Sequence, residues 1–252
     1  MLKEERQQAI IELLHRNGKV LAADLMTRLN VSEDTIRRDL NDLTAAGMLQ
    51  RVHGGALPRA LSLPYDQRVR ETDASKRAMA EAAARLIHPG QVVLMDSGSS
   101  VLAVVAHLPT SLRCTVVTNS LPVAAALIHH PEIEVHVLGG RLNKDAQAMV
   151  GVPVVEALRQ FRPDLCLLGV CGLHPEVGIS ILDVEEAYVK RTMIEQAAEV
   201  VAMVGAAKLG TAAPYVIGPI GALTYLVTDG SIEQQVLAPY QEQGVLVVRT
   251  ET

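Results

Sequence analysis

The strongest constraint on this chain is a recurrence after residue 90. Short β-branched and aliphatic runs fall at Val92–Met95, Thr115–Val117, Val135–Leu138, Leu165–Leu168, Val200–Val204 and Tyr225–Thr228. Val245–Val248 reads as a further edge strand. Between them lie segments of helical character, at 101–107, 122–129, 154–160 and 185–195, and an amphipathic helix at 76–87 precedes the first run. Strands that are apolar throughout, rather than alternating, are buried on both faces. Connections of helix length make neighbouring strands parallel. The pattern predicts an α/β, Rossmann-like domain with a mostly parallel sheet. Its core must be aliphatic, because hydrophobic residues make up 49% of the chain while it has one Phe and no Trp.

In such a sheet, ligands bind beyond the C-terminal ends of the strands. Three of those ends share a chemistry. Asp96-Ser97-Gly98-Ser99-Ser100 offers hydroxyls, a flexible glycine and the start of a helix, which suits an anion such as phosphate. An ordinary serine-capped turn is the alternative for that loop alone. Thr118-Asn119-Ser120 and Gly139-Gly140 add further polar or backbone-exposing edges. Lys76, Lys190 and Lys208 are placed to neutralise a phosphate or contact a sugar. Lys190 also stands four residues after Glu186, the spacing of a plain surface ion pair, and Lys208 also fits a solvated loop lysine.

The first 60 residues are a different kind of sequence. They carry nine Lys and Arg against eight Asp and Glu, a balance of +1, whereas the remaining residues carry 14 against 20. Only this segment meets a phosphate backbone without general repulsion. Helices are predicted over 3–17 and 22–29, with Asn30-Val31 as a turn and Ser32 as the cap of a third helix. Ile36, Leu40 and Leu43 form that helix's buried stripe, and Thr35, Arg37 and Arg38 point away from it. A capped helix showing a hydroxyl and two guanidiniums fits the DNA major groove, although alone it equally fits a solvated surface helix. The neighbours favour DNA. A helix and tight turn precede it, and Met48–His53 reads as a strand closed by a Gly54-Gly55 turn, a wing that sets Arg51 and His53 beside the DNA backbone.

The run Thr35-Ile36-Arg37-Arg38-Asp39-Leu40, then Gly47, then Arg51-Val52-His53-Gly54-Gly55-Ala56, resembles the N-terminal domain of DeoR-type bacterial transcriptional regulators. Residues 75–230 resemble the sensor domain of the same proteins, which is similar in fold to ribose-5-phosphate isomerase. The resemblance implies a small α+β winged helix-turn-helix domain at 1–57, a linker at 58–74 and an α/β effector-sensing domain at 75–252. It implies a repressor of a carbohydrate-utilisation operon, without a cofactor or metal, acting in the cytoplasm as a homodimer or homotetramer. Its partners would be double-stranded operator DNA and a small phosphorylated sugar or polyol. The implied DNA-facing residues are Lys19, Ser32, Asp34, Thr35, Arg37, Arg38, Arg51, His53 and Gly54. The implied effector set is Lys76, Asp96, Ser97, Gly98, Ser99, Ser100, Thr118, Asn119, Ser120, Gly139, Gly140, Gly172, Glu186, Lys190 and Lys208. Two positions depart from the family pattern. Ser99-Ser100 replaces the usual Thr-Thr, which keeps the hydroxyls, and Gly205 replaces an Asp three residues before Lys208, which removes a carboxylate from the effector end.

Other chemistries fit less well. Cys114, Cys166 and Cys171 form no CxxC and leave one unpaired, which suggests reduced, packed thiols, with Cys171 beside the cavity. No Gly-rich dinucleotide fingerprint or Walker loop is present. No apolar run approaches a membrane span, and the charged N-terminus is no signal peptide. The 58–74 stretch, with Pro58 and Pro64, reads as helix-free. A sugar-phosphate isomerase with an accessory DNA-binding domain is the alternative function, with Asp183, Glu185 or Glu186 as the base.

Overall fold

The computed structural model describes residues 1–252 except Ser62, Thr72 and Thr252. The chain begins with α1 (Lys3–Asn17), β1 (Val20–Leu21), α2 (Ala22–Leu29), α3 (Glu33–Ala45), β2 (Gln50–Val52) and β3 (Gly55–Leu57). Their apolar residues close a core of their own around Ile10, Leu14, Leu25, Ile36, Leu40 and Leu49. Ser32 caps α3, its Oγ accepting from the Thr35 amide. The wing has a third strand. Val20–Leu21 pairs with β3, giving the order β1-β3-β2. Gly54, at φ +77°, makes the turn, while Gly55 belongs to β3. A Cβ on Gly55 would stand 2.0 Å from the Val20 carbonyl oxygen, so the closeness of β1 to β3 requires glycine there.

A helix then occupies the stretch read as helix-free: α4, Tyr65–Arg70. Two of that stretch's residues, Ser62 and Thr72, lie outside the described residues. The expectation failed because Pro64 sits at the helix start, where a missing N–H leaves no intrahelical bond unmade.

The larger unit runs α5 (Ala74–Ala84), β4 (Val92–Met95), α6 (Ser99–Val105), β5 (Cys114–Thr118), α7 (Leu121–Leu127), β6 (Ile133–Val137), β7 (Arg141–Asn143), β8 (Ala148–Val150), α8 (Val152–Leu158), β9 (Leu165–Leu168), β10 (Gly172–His174), β11 (Gly178–Ile181), α9 (Val184–Gln196), β12 (Glu199–Met203), β13 (Tyr215–Gly218), β14 (Tyr225–Thr228), α10 (Gln234–Gln241) and β15 (Leu246–Arg249). Seven of the strands form one parallel sheet in the order β15-β14-β12-β9-β4-β5-β6. Met79, Val101, Val104 and Val123 cover one face, and Val154, Ala187, Met193, Leu237 and Tyr240 cover the other. The hairpin β7–β8 and the small antiparallel sheet β10-β11-β13 were not anticipated. They are short, and their apolar residues do not alternate clearly enough to be told from loops.

The strand order determines where a ligand can enter. From β4 the chain runs outward through β5 to β6, then returns to place β9 on β4's other side and runs outward again through β12, β14 and β15. The order therefore reverses between β4 and β9, and the crevice beyond that pair is where open α/β sheets bind ligands.

Candidate functional site

A cavity of about 600 Å³ opens at that reversal point, a size suited to a small metabolite. Ser97, Gly98, Ser99 and Ser100 line it from the end of β4, and Gly169, Val170 and Cys171 from the end of β9. Asp183, Glu186 and Lys190 reach it from the start of α9, and Lys208 from the turn after β12.

A buried ion pair holds the floor. Asp96 is fully buried, and its Oδ2 accepts from the Gly169 amide at 2.7 Å and from Lys190 Nζ. Lys190 Nζ also donates to the Gly169 carbonyl at 3.1 Å and lies 3.7 Å from Glu186. Burial alone would depress the Lys190 ammonium, but the Asp96 and Glu186 carboxylates outweigh it and hold the pKa above its ordinary value. A Cβ on Gly169 would meet the Ser97 carbonyl oxygen at 2.3 Å, so the two strand ends come this close only because that residue is glycine. Lys190 thus belongs less to a ligand than to the clamp joining β4 to β9.

The remaining cations are set around this floor. Lys76 Nζ donates to Ser99 Oγ at 2.9 Å and to the Arg68 carbonyl at 2.5 Å. Lys208 Nζ donates to the Val170 carbonyl at 2.7 Å. Burial lowers the pKa of both, and Arg68 pushes each further down. Burial raises Glu186, against the opposing pull of Lys190. A side chain at position 205 would meet nothing within 4 Å, so the missing carboxylate there is a loss of charge with no steric cause.

Asp96 and Lys76 stand just behind the lining, bonded to Lys190 and Ser99, which belong to it. Thr118, Asn119, Ser120, Gly139, Gly140 and Gly172, also expected in the effector set, lie away from the cavity for reasons visible in the sheet order. Thr118, Asn119 and Ser120 end β5, one strand away from the reversal. Thr118 Oγ1 donates to the Met95 carbonyl at 2.6 Å, Asn119 Nδ2 to the Met149 carbonyl at 2.9 Å, and Ser120 caps α7. Gly139 and Gly140 follow β6 at the sheet edge, where Gly140 lies against Val150 and Val154. Gly172 begins β10 and packs against Ser180 and Thr211. Sequence reasoning missed two walls. The hairpin turn Asn143–Gln147 is one, and Pro64, Tyr65, Asp66 and Arg68 of the α4 region are the other. Gln147 Nε2 donates to Asp66 Oδ1 at 2.9 Å and joins these walls. The Pro64-Tyr65 start was the only local signal for α4.

Two of the three candidate bases for isomerisation are occupied, and the third, Glu186, lines the cavity 3.7 Å from Lys190. Asp183 caps α9, its Oδ1 accepting from the Glu185 and Glu186 amides. Glu185 pairs with Arg141. Cys171 lines the cavity, while Cys166 is wholly buried, its thiol pushed far up by desolvation.

The second surface lies on the N-terminal unit. Arg37 and Arg38 are exposed on α3, with Arg37 held by Asp34 at 2.9 Å. Thr35 Oγ1 lies 3.0 Å from Ser32 Oγ. His53 and Gly54 form the exposed wing tip, and Arg51 is half-buried with an unpartnered Nη1. Lys19 reaches instead to Glu176 of the β10–β11 hairpin, at 2.5 Å. Asp39, on the opposite face of α3, is buried and ties the helix to α1 through Arg6 Nε at 2.5 Å and Nη2 at 3.1 Å.

A capped helix with two exposed arginines beside a wing, joined to an α/β unit with a polar cavity at its reversal point, fits a DNA-binding regulator with a sensor domain. Residues 6–58 match the DeoR-like helix-turn-helix domain, and residues 71–230 match the DeoR C terminal sensor domain. The chain belongs to the DeoR family of transcriptional regulators. It is 34% identical to the HTH-type transcriptional repressor GlcR of Bacillus subtilis (strain 168), over 100% of this chain and 98% of that protein. It is 31% identical to the Glycerol-3-phosphate regulon repressor of Escherichia coli (strain K12), over 91% of this chain and 92% of that protein. Among solved structures, ribose 5 phosphate isomerase A from Neisseria gonorrhoeae aligns over 57% of this chain and 54% of its own, with a TM-score of 0.40 at 12% identity. Among the described residues no helix is long and apolar enough to cross a membrane.

Proposed function

We propose that this regulator represses a carbohydrate-utilisation operon and that a phosphorylated sugar or polyol in the cavity changes its affinity for operator DNA. The observation that carries the reading is the cavity itself. At the reversal between β4 and β9, serine hydroxyls and backbone N–H groups at 97–100 stand near Lys76 and Lys208, cations for a phosphate, while Glu186 and Asp183 are acceptors suited to sugar hydroxyls. The Glycerol-3-phosphate regulon repressor among the relatives supports the same ligand class.

On the DNA side, Thr35, Arg37 and Arg38 read base edges from α3, with Asp34 orienting Arg37, while Ser32, Arg51, His53, Gly54 and Lys19 position the domain on the backbone. Winged helix-turn-helix proteins bind paired half-sites, so a homodimer or homotetramer in the cytoplasm is the working form. The division into 1–57, 58–74 and 75–252 follows these two surfaces and the stretch between them.

A thermal-shift panel of phosphorylated sugars and polyols, each beside its unphosphorylated parent, tests the reading, since a ligand that binds only the folded state raises the melting temperature by mass action. A phosphorylated compound should shift the parent protein, and Ser97→Ala and Lys208→Ala should abolish the shift without unfolding the free protein. A shift unaffected by both substitutions would place the ligand elsewhere.

A further inference from the structure

We propose that the helix between the two domains is part of the effector site, with Arg68 receiving the phosphate of the bound sugar directly. This rests on the cavity reading above and adds to it the route by which occupancy reaches the DNA-binding domain.

Four observations lead there. First, α4 forms a wall of the cavity, with Tyr65, Asp66 and Arg68 all on the lining. Second, Arg68 is uncommitted. Its guanidinium lies over the Tyr65 ring at 5.3 Å, its Nε is buried without an acceptor, and among the described residues no carboxylate pairs with it. The Tyr65 hydroxyl is likewise buried without a partner. Donors removed from water and left unpaired are costly, and an acceptor in the cavity relieves both. Third, the other buried cations are engaged by the protein: Lys190 with Asp96, Lys208 with the Val170 carbonyl, Lys76 with Ser99 and the Arg68 carbonyl. Guanidinium is also the side-chain cation shaped to take two phosphate oxygens at once. Fourth, α4 is joined to both sides of the site, by Lys76 at its C-terminal carbonyl and by Gln147 at Asp66.

The consequence is mechanical. Going backward from α4, the chain passes the Ala60–Ala212 and Pro58–Ala212 backbone bonds and enters the wing. A phosphate that binds Arg68 biases where α4 sits. A ligand changes DNA affinity only as far as it favours one arrangement of the two domains over another. A contact from the connecting helix is the most direct way for that difference to arise.

The test uses the full chain and calorimetric titration with inorganic phosphate, glycerol 3-phosphate, ribose 5-phosphate and glucose 6-phosphate, each sugar or polyol beside its unphosphorylated parent and with gluconate as a carboxylate control. Arg68→Ala should weaken the tightest phosphorylated probe by about tenfold or more, the loss expected for one charge-assisted hydrogen bond, and Arg68→Lys should restore part of it. In DNA titrations with a duplex selected from a random pool, saturating probe should change the DNA affinity of the parent protein and have little effect on that of Arg68→Ala. If Arg68→Ala fails to fold, Arg68→Lys still decides the matter, since it keeps the charge and loses the two-pronged contact. Phosphate affinity unchanged in the Arg68 variants but lost in Ser97→Ala overturns the proposal and leaves the cavity reading standing. Tighter binding of gluconate than of every phosphate, lost on Arg68 substitution, overturns the phosphate assignment. No binding of any phosphorylated probe by the parent protein removes the cavity reading and this proposal together.

Discussion

At the scale of single residues, the two functional surfaces use charge in opposite ways. On α3 the buried carboxylate of Asp39 is tied to Arg6 and serves structure, leaving Arg37 and Arg38 outward. Asp39→Ala leaves the largely enclosed Arg6 guanidinium without its partner. It should cost about 3–5 kcal/mol by the measure of broken buried pairs, read as a lower denaturation midpoint by circular dichroism. Around the cavity, burial works against the ammonium groups of Lys76 and Lys208, which lack the carboxylate partners of Lys190. Burial holds the Lys208 ammonium below its ordinary 10.5, and an arriving phosphate raises it again. Binding therefore takes up a proton. Affinity should be greatest between about pH 6, below which the phosphate itself loses charge, and the lowered value of free Lys208. It should fall as pH rises through that value. Calorimetry in two buffers of different ionisation heat measures the uptake directly. An affinity that stays flat as pH rises toward 10.5 would show that Lys208 does not meet the anion.

Among the elements, α3 and the sheet were readable in advance, and α4 was not. The cap at Ser32 and the Ile36-Leu40-Leu43 stripe are local signals, and the central strands β4 and β9 are continuous apolar runs, so both kinds of element are written in short windows of sequence. The 97–100 loop that lines the cavity was legible for the same reason. The clamp between Asp96 and Lys190 was not, since the partners are 94 residues apart and nothing local pairs them. Nor was the exclusion of 118–120 and 139–140, because it depends on strand order and not on loop chemistry. The six-residue α4 has too few residues for a period to show. For α3 the expected outcome is specific. Arg38→Ala should cost about 1–3 kcal/mol in binding to a selected operator duplex if Arg38 reads a base. It should leave the melting temperature unchanged, because Arg38 is exposed. Fluorescence anisotropy against the selected and a scrambled duplex separates base reading from backbone contact, since a backbone arginine loses affinity for both equally.

Over the whole molecule, the lysine proposed to meet DNA at the wing's flank is already engaged. Lys19 pairs with Glu176 of the sensor domain, and the lysine holds that carboxylate below its usual range. The two side chains are largely solvent-exposed, so the pair itself adds little stability. Its effect is competitive: a phosphate of the DNA backbone has to displace Glu176 to reach Lys19. Glu176→Ala should raise DNA affinity by a few-fold at low salt and steepen its salt dependence by about one counterion. Anisotropy titrations from 50 to 200 mM salt, on the order of the range where such contacts are lost, would show it, and an unchanged slope would mean that Lys19 never touches DNA. The order of the large sheet also governs how the protein comes into being. The winged domain is complete within its first 57 residues, and all its strand partners are near in sequence. β4, by contrast, cannot acquire its second neighbour until β9, at Leu165–Leu168, has been made. Long-range parallel pairing is slow to form, and domains fold as they emerge from the ribosome. A nascent chain therefore acquires its grip on DNA before it acquires the means to be told to let go.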